Sequence, residues 1–217
     1  ESVPLILRTP TFTLSAIVQR TPKPNDSAAK DHPSAKIYSS ATDLFADSNL
    51  DIIVITTTPD THFSFTKAAL EAGKHVNAEV PAAHSLEDCW RIVLAVERSD
   101  RVYQLGEQTR YWGFVDAWKQ IVAEGQIGRP TFCEGQYIGY YGTRMFFQDP
   151  ETGRSCEVDE LEDHPNARPT WMHQMPPIHY LPHELSPMLK ILDDRVVEVT
   201  AMSTGSPSYA HPEIAMP

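Results

Sequence analysis

No glycine occurs before Gly73, and the whole chain of 217 residues holds only ten. A nucleotide-binding α/β fold places a glycine-rich turn after its first strand, where bare backbone approaches a diphosphate. That turn is not written in this chain. Cysteine is scarce too: Cys89, Cys133 and Cys156 are odd in number, far apart and form no CxxC pair, which excludes a disulfide scaffold and a thiolate zinc site. No apolar run approaches the ~18 residues of a membrane span, and no basic-then-apolar leader opens the chain. Positive charge is the minority, with a net charge of −11 and a pI of about 5.2, so neither nucleic acid nor an anionic membrane is expected as a partner. A cytoplasmic location is the default expectation.

What is present is ordinary globular material, 41% hydrophobic, enough for one large or two modest domains. Up to about Leu105 strands and helices alternate. Thr13 to Val18 reads as a strand, Ala35 to Tyr38 as a short extended piece, and Asp43 to Phe45 as the start of a short helix. Asp51 to Thr56 is a β-branched run of the kind a parallel strand buries on both faces, and Thr58-Pro59 ends it. A helix follows from Asp60, with Gly73 as its stop, then a strand over His75 to Ala78. Ser85 caps a further helix with an acidic first turn, and Val102 to Leu105 is the next strand. This order predicts a doubly wound parallel, Rossmann-type sheet without its first strand and Gly-rich turn.

Asp116 to Ala123 is predicted helical, with Gly125 as its stop. From Pro130 the texture changes to strand-like TFCEGQYIGYY, followed by a polar stretch to about Pro169 that reads as an exposed insertion or lid loop. Pro182 opens a helix carrying Leu185, Met188, Leu189 and Leu192, and Val196 to Met202 reads as a strand. The expected organisation is a dinucleotide-binding domain over 1–109 and a second α+β domain, on a mainly antiparallel sheet, over 110–217, both incomplete at their outer ends. The second domain's sheet is the expected surface for a homo-oligomer.

Five blocks, DIIVITTTPDTHF, AALEAGKHV with its Glu-x-Pro turn, GEQTRYWG, AEGQIGRP and PPIHYLPHELSPML, resemble in order and spacing the Gfo/Idh/MocA family of NAD(P)-dependent oxidoreductases. The resemblance implies a nicotinamide cofactor, NAD or NADP, and hydride transfer on a carbinol or carbonyl carbon of a sugar, inositol or related polyol. It implies cofactor contacts from Thr58, Pro59, His62, Glu79 and Gln108. Arg110, Trp171 and Tyr180 become substrate-side candidates, with Trp112 as a further aromatic. Gln19-Arg20 follows the TLSAIV strand; an arginine there fits the 2′-phosphate of NADP, a surface charge being the other reading.

Two further departures from the family pattern concern catalysis. The family's Glu-Lys-Pro reads Glu79-Val80-Pro81, and Val80 can hold no proton. Its Asp-x-x-x-His reads His179-Tyr180-Leu181-Pro182-His183, which keeps His183 as the expected acid/base and puts His179 in the aspartate's place, for substrate binding or packing. A helix starting at Pro182 leaves His179 outside it, so the HxxxH spacing is not read as a metal pair and no metal is expected. Two other readings remain open at this point: a non-catalytic relative serving binding or assembly, and a glycoside hydrolase that uses NAD transiently.

Overall fold

The computed structural model describes residues 9–19, 28–138, 146–174 and 177–202. The chain divides into two compact units, Glu1–Gly106 and Glu107–Pro217.

In the first unit, β1 (Ala16–Val18) pairs in parallel with β2 (Lys36–Tyr38), α1 (Ala28–Asp31) lying between them in the chain. After α2 (Ala41–Phe45) comes β3 (Ile52–Ile55), then α3 (Pro59–Glu71), β4 (His75–Ala78), α4 (Leu86–Glu97) and β5 (Tyr103–Leu105). These last strands form a parallel sheet in the order β3-β4-β5. A doubly wound sheet runs 3-2-1-4-5-6 in its general form. Among the described residues the first unit thus holds a parallel pair and a parallel triplet.

The core is built on one face. Ile53 and Ile55 of β3 lie level with Val76 and Ala78 of β4, and with Leu44, Phe45, Ala69 and Leu70 they form the buried cluster, flanked by Ala95 and Val96 of α4. Ile52 and Val54 remain 42% and 38% exposed. The expectation that this strand is buried on both faces is therefore corrected: side chains alternate across a strand, and the helices packed on the cluster cover the odd-numbered face. Lys74, only 6% exposed, donates from Nζ to the carbonyls of Asp47 and Leu50, each at 2.7 Å. It thereby ties the end of α3 to the turn before β3. Gly73, at φ +76°, supplies the left-handed residue that ends α3.

In the second unit a 3-10 turn over Thr109–Tyr111 leads into α5 (Gly113–Ala123). The polar stretch expected to be a loop holds a small antiparallel sheet, β7-β6-β8, of β6 (Phe147–Gln148), β7 (Ser155–Cys156) and β8 (Arg168–Pro169). Gly153, at φ +69°, makes the tight β6–β7 turn possible. Buried Phe146 and Met172, with Phe147, Val158 and Tyr180 around them, supply its apolar support. Composition alone hid this, because two-residue strands carry no period. The last helix, α6 (Pro182–Leu192), starts at the proline as expected and ends on Asp193 at φ 51°.

Two expected strands are absent among the described residues. Residues 131–138 and 196–202 have no ladder partner, and Phe132, Ile138, Val197, Val199 and Met202 are 81%, 86%, 88%, 72% and 97% exposed. Their alternation is strand-like, but a strand exists only through the hydrogen bonds of a neighbour.

Candidate functional site

The first unit gathers its polar candidates where β3 and β4 end. Thr58 precedes α3 in extended geometry, with Pro59 at the first helical position. Its carbonyl accepts from the N–H and hydroxyl of Thr61 at 2.9 and 2.8 Å. Glu79, half-buried, donates its backbone N–H to Ile55 O at 2.9 Å, so its side chain leaves from the end of the strand beside β3. His62 is completely buried. Its Nδ1 lies 2.8 Å from the carbonyl of Pro81, which follows a cis Val80–Pro81 bond, and its Nε2 lies 3.0 Å from the carbonyl of Thr57. One imidazole thus spans the two strand-end turns, a task its place in the sequence did not disclose. A β-carbon at Gly106 would come within 3.1 Å of Ala78 O, so the chain leaving β5 needs glycine to pass that close. Arg20 lies outside the described residues.

The second unit brings a different set together. His183, at the second position of α6, presents Nδ1 2.8 Å from Glu107 Oε2, with the two side chains 10% and 5% exposed. The two atoms are in close contact but out of line for a hydrogen bond. Glu107 is held in turn: its Oε1 accepts from Thr109 N–H at 2.8 Å and from the Thr109 hydroxyl at 2.6 Å. That hydroxyl also lies 2.8 Å from the His183 carbonyl. Tyr137 stacks on His183 with centroids 5.4 Å apart, and on Tyr180 at 5.0 Å, almost parallel.

Around this group, Arg110 Nη1 donates to Ser186 O at 3.2 Å, and Lys190 Nζ donates to Arg110 O at 2.9 Å while pairing with Asp116 at 2.5 Å. These bonds pin the 3-10 turn to α6. Gln108 is exposed at the start of that turn, and Trp171 is 39% exposed at the head of the turn Trp171–Gln174. His179 is half-buried in the turn Pro177–Tyr180, outside α6. Among the described residues no group of three or more His, Cys, Asp or Glu side chains is arranged to hold a metal ion, and no helix is long and apolar enough to cross a membrane. The structure thus joins His183 and Tyr180, and adds Glu107, Thr109 and Tyr137. Glu107 is one of 29 acidic residues, and nothing local in GEQTRYWG distinguishes a buried acid from a surface one.

Residues 2–107 match the model of the Gfo/Idh/MocA oxidoreductase family, described as an NAD-binding Rossmann fold. Residues 2–107 are a Gfo/Idh/MocA segment. It is 34% identical over 105 residues to inositol 2-dehydrogenase of Salmonella typhimurium, a match covering 48% of this chain and 31% of that protein. It is also 28% identical over 169 residues to an alpha-N-acetylgalactosaminidase of Bacteroides fragilis, covering 75% of this chain and 38% of that protein. A match that long reaches into the second unit. An NAD-binding protein from Listeria innocua superposes with a TM-score of 0.53 at 26% identity, over 58% of this chain and 37% of that one. The chain spans well under half the length of these Gfo/Idh/MocA relatives.

Proposed function

We propose that this chain carries nicotinamide-binding and proton-handling residues of an NAD(P)-dependent oxidoreductase acting on a carbinol or carbonyl carbon of a sugar, inositol or similar polyol. The observation that supports this best is the buried His183–Glu107 pair in a chain whose first unit matches the NAD-binding family.

Within the first unit, Thr58 and Glu79 end adjacent strands, the place where such sheets take ligands; they fit the ribose on the nicotinamide side. Pro59 and His62 hold the shape of that turn. No residue of this chain is assigned to the diphosphate. Arg20 favours NADP over NAD. Bound nicotinamide supplies a hydride acceptor or donor.

In the second unit His183 takes up, or returns, the substrate's hydroxyl proton, a role the neutral imidazole serves well. Val80 has no ionisable atom, so His183 does this without the family's lysine. Gln108 is assigned to the cofactor side. Arg110, Tyr180, Trp171 and His179 are assigned to substrate, Tyr180 and Tyr137 offering stacked rings to an apolar sugar face. The protein is expected in the cytoplasm as a homo-oligomer associating through the second unit, where strand-like residues 131–138 and 196–202 stand exposed.

NADH and NADPH titrated onto the chain should each enhance in fluorescence, NADPH at lower concentration. A polyol panel followed by nicotinamide absorbance then reads turnover. Failure of both nucleotides to bind would sink this reading. A second reading, NAD-assisted glycoside cleavage, is favoured by the length of the match to the alpha-N-acetylgalactosaminidase. It requires sugar release with no net NADH.

A further inference from the structure

We infer that Glu107 is the positioning residue for His183: its carboxylate fixes the proton of the neutral imidazole on Nδ1 and leaves Nε2 as the basic atom. The inference rests on the reading of His183 as the proton-handling residue, but it is decided by an observation that needs no turnover.

Two features of the geometry carry it. Oε2 faces Nδ1 at 2.8 Å in a place where both side chains are almost fully buried. An ionised carboxylate is acceptor only, so the ring atom beside it is the one that bears hydrogen. Oε1 is meanwhile occupied by two donors from Thr109, which locks the carboxylate rotamer and keeps the other oxygen beside Nδ1, where it acts on the ring by its charge and not through an aligned hydrogen bond. The Thr109 hydroxyl also reaches the His183 carbonyl, so one residue fixes both the acid and the backbone of the base. When a substrate O–H bond breaks and its proton joins Nε2, the imidazolium charge lies against Glu107. This is the logic of an acid that orients a catalytic histidine without itself taking the proton.

The other charged or titratable groups near His183 have different engagements. Arg110 is on the Ser186 carbonyl and Lys190 on Asp116 and the Arg110 carbonyl. Glu184 neighbours His183 on α6. Tyr137 and Tyr180 meet the imidazole through their rings. Of these, Glu107 is the anion in contact with a ring nitrogen.

The test is long-range proton–nitrogen NMR on the full chain with nitrogen-labelled histidine, at a pH where the ring is neutral. The wild type should show His183 as the Nδ1–H form. Glu107→Gln, whose carboxamide can donate to Nδ1, should switch it to Nε2–H, and Glu107→Asp should restore the Nδ1–H form in large part. An Nε2–H ring or an even mixture in the wild type overturns the inference, and so does an unchanged tautomer in Glu107→Gln. The wild-type spectrum decides even if a variant fails to fold. Where a polyol is turned over, Glu107→Gln should lower kcat by roughly 10²- to 10⁴-fold with KM within about twofold. An Nδ1–H ring in a chain that binds neither nucleotide would leave this inference standing and remove the oxidoreductase reading alone.

Discussion

At the residue scale, histidines that look alike in sequence do unlike work. His62 stands in TPDTHF and resembles a cofactor-side residue, yet its ring is buried and both nitrogens lie on the carbonyls of Pro81 and Thr57. Its removal takes the ring's one N–H from these two carbonyls and opens a cavity where the imidazole was fully buried. His62→Ala should lower unfolding free energy by about 2 to 4 kcal/mol in urea titrations; a change below the measurement error would show that water serves the carbonyls equally well. Asp47 offers a separate check. The Tyr38 hydroxyl first, and then the Asn49 N–H, hold its carboxyl at about 2, below the ordinary 3.8. Because the folded value is the lower one, the stabilisation is present above about pH 4 and is lost as pH falls towards 2. Tyr38→Phe should move the Asp47 midpoint upward in carboxyl NMR, and an unmoved midpoint would assign the depression to Asn49 and Lys36. Neither role was legible in the sequence, since each depends on a partner 9 to 19 residues away.

At the element scale the sequence was a better guide, because caps and stops are local. Ser85 reads as a helix cap, and its Oγ accepts from Asp88 N–H at 3.1 Å. Ser85→Ala should therefore cost about 1 kcal/mol in thermal or urea unfolding. Pro182 and Gly73 marked helix limits for the same reason: ring geometry and left-handed backbone are properties of single residues. The strands expected beyond Pro130 are not formed over the described residues 131–138 and 196–202, because alternation records what a chain could pair with, not whether a neighbour is there. Tyr137 nevertheless stacks on His183 from the first of these segments. Gly135 explains how: a β-carbon there would collide with Met188 on α6 and lie 2.9 Å from Glu184 Oε2. Gly135→Ala should push the segment off the helix and weaken the Tyr137–His183 stacking, read as a loss of ring-current shift on the His183 protons. Unchanged shifts would mean that Met188 yields instead.

At the scale of the whole molecule, exposed apolar side chains on residues 131–138 and 196–202 have the composition of sheet edges, which tend to associate. Sedimentation velocity should show mass rising with concentration, and paired charged substitutions at Ile138 and Val197 should reduce it. A monomer at all concentrations would count against assembly through these segments. Motif order determined the family and the α/β class, since short blocks survive as local chemistry and the strand–helix alternation is periodic. The sequence likewise showed that none of its ten glycines stands before Gly73. Tertiary structure alone decided that Glu107 meets His183, 76 positions apart, and that His62 faces backbone. Burial and charge pairing belong to contacts between distant parts of the chain, and no local pattern encodes them.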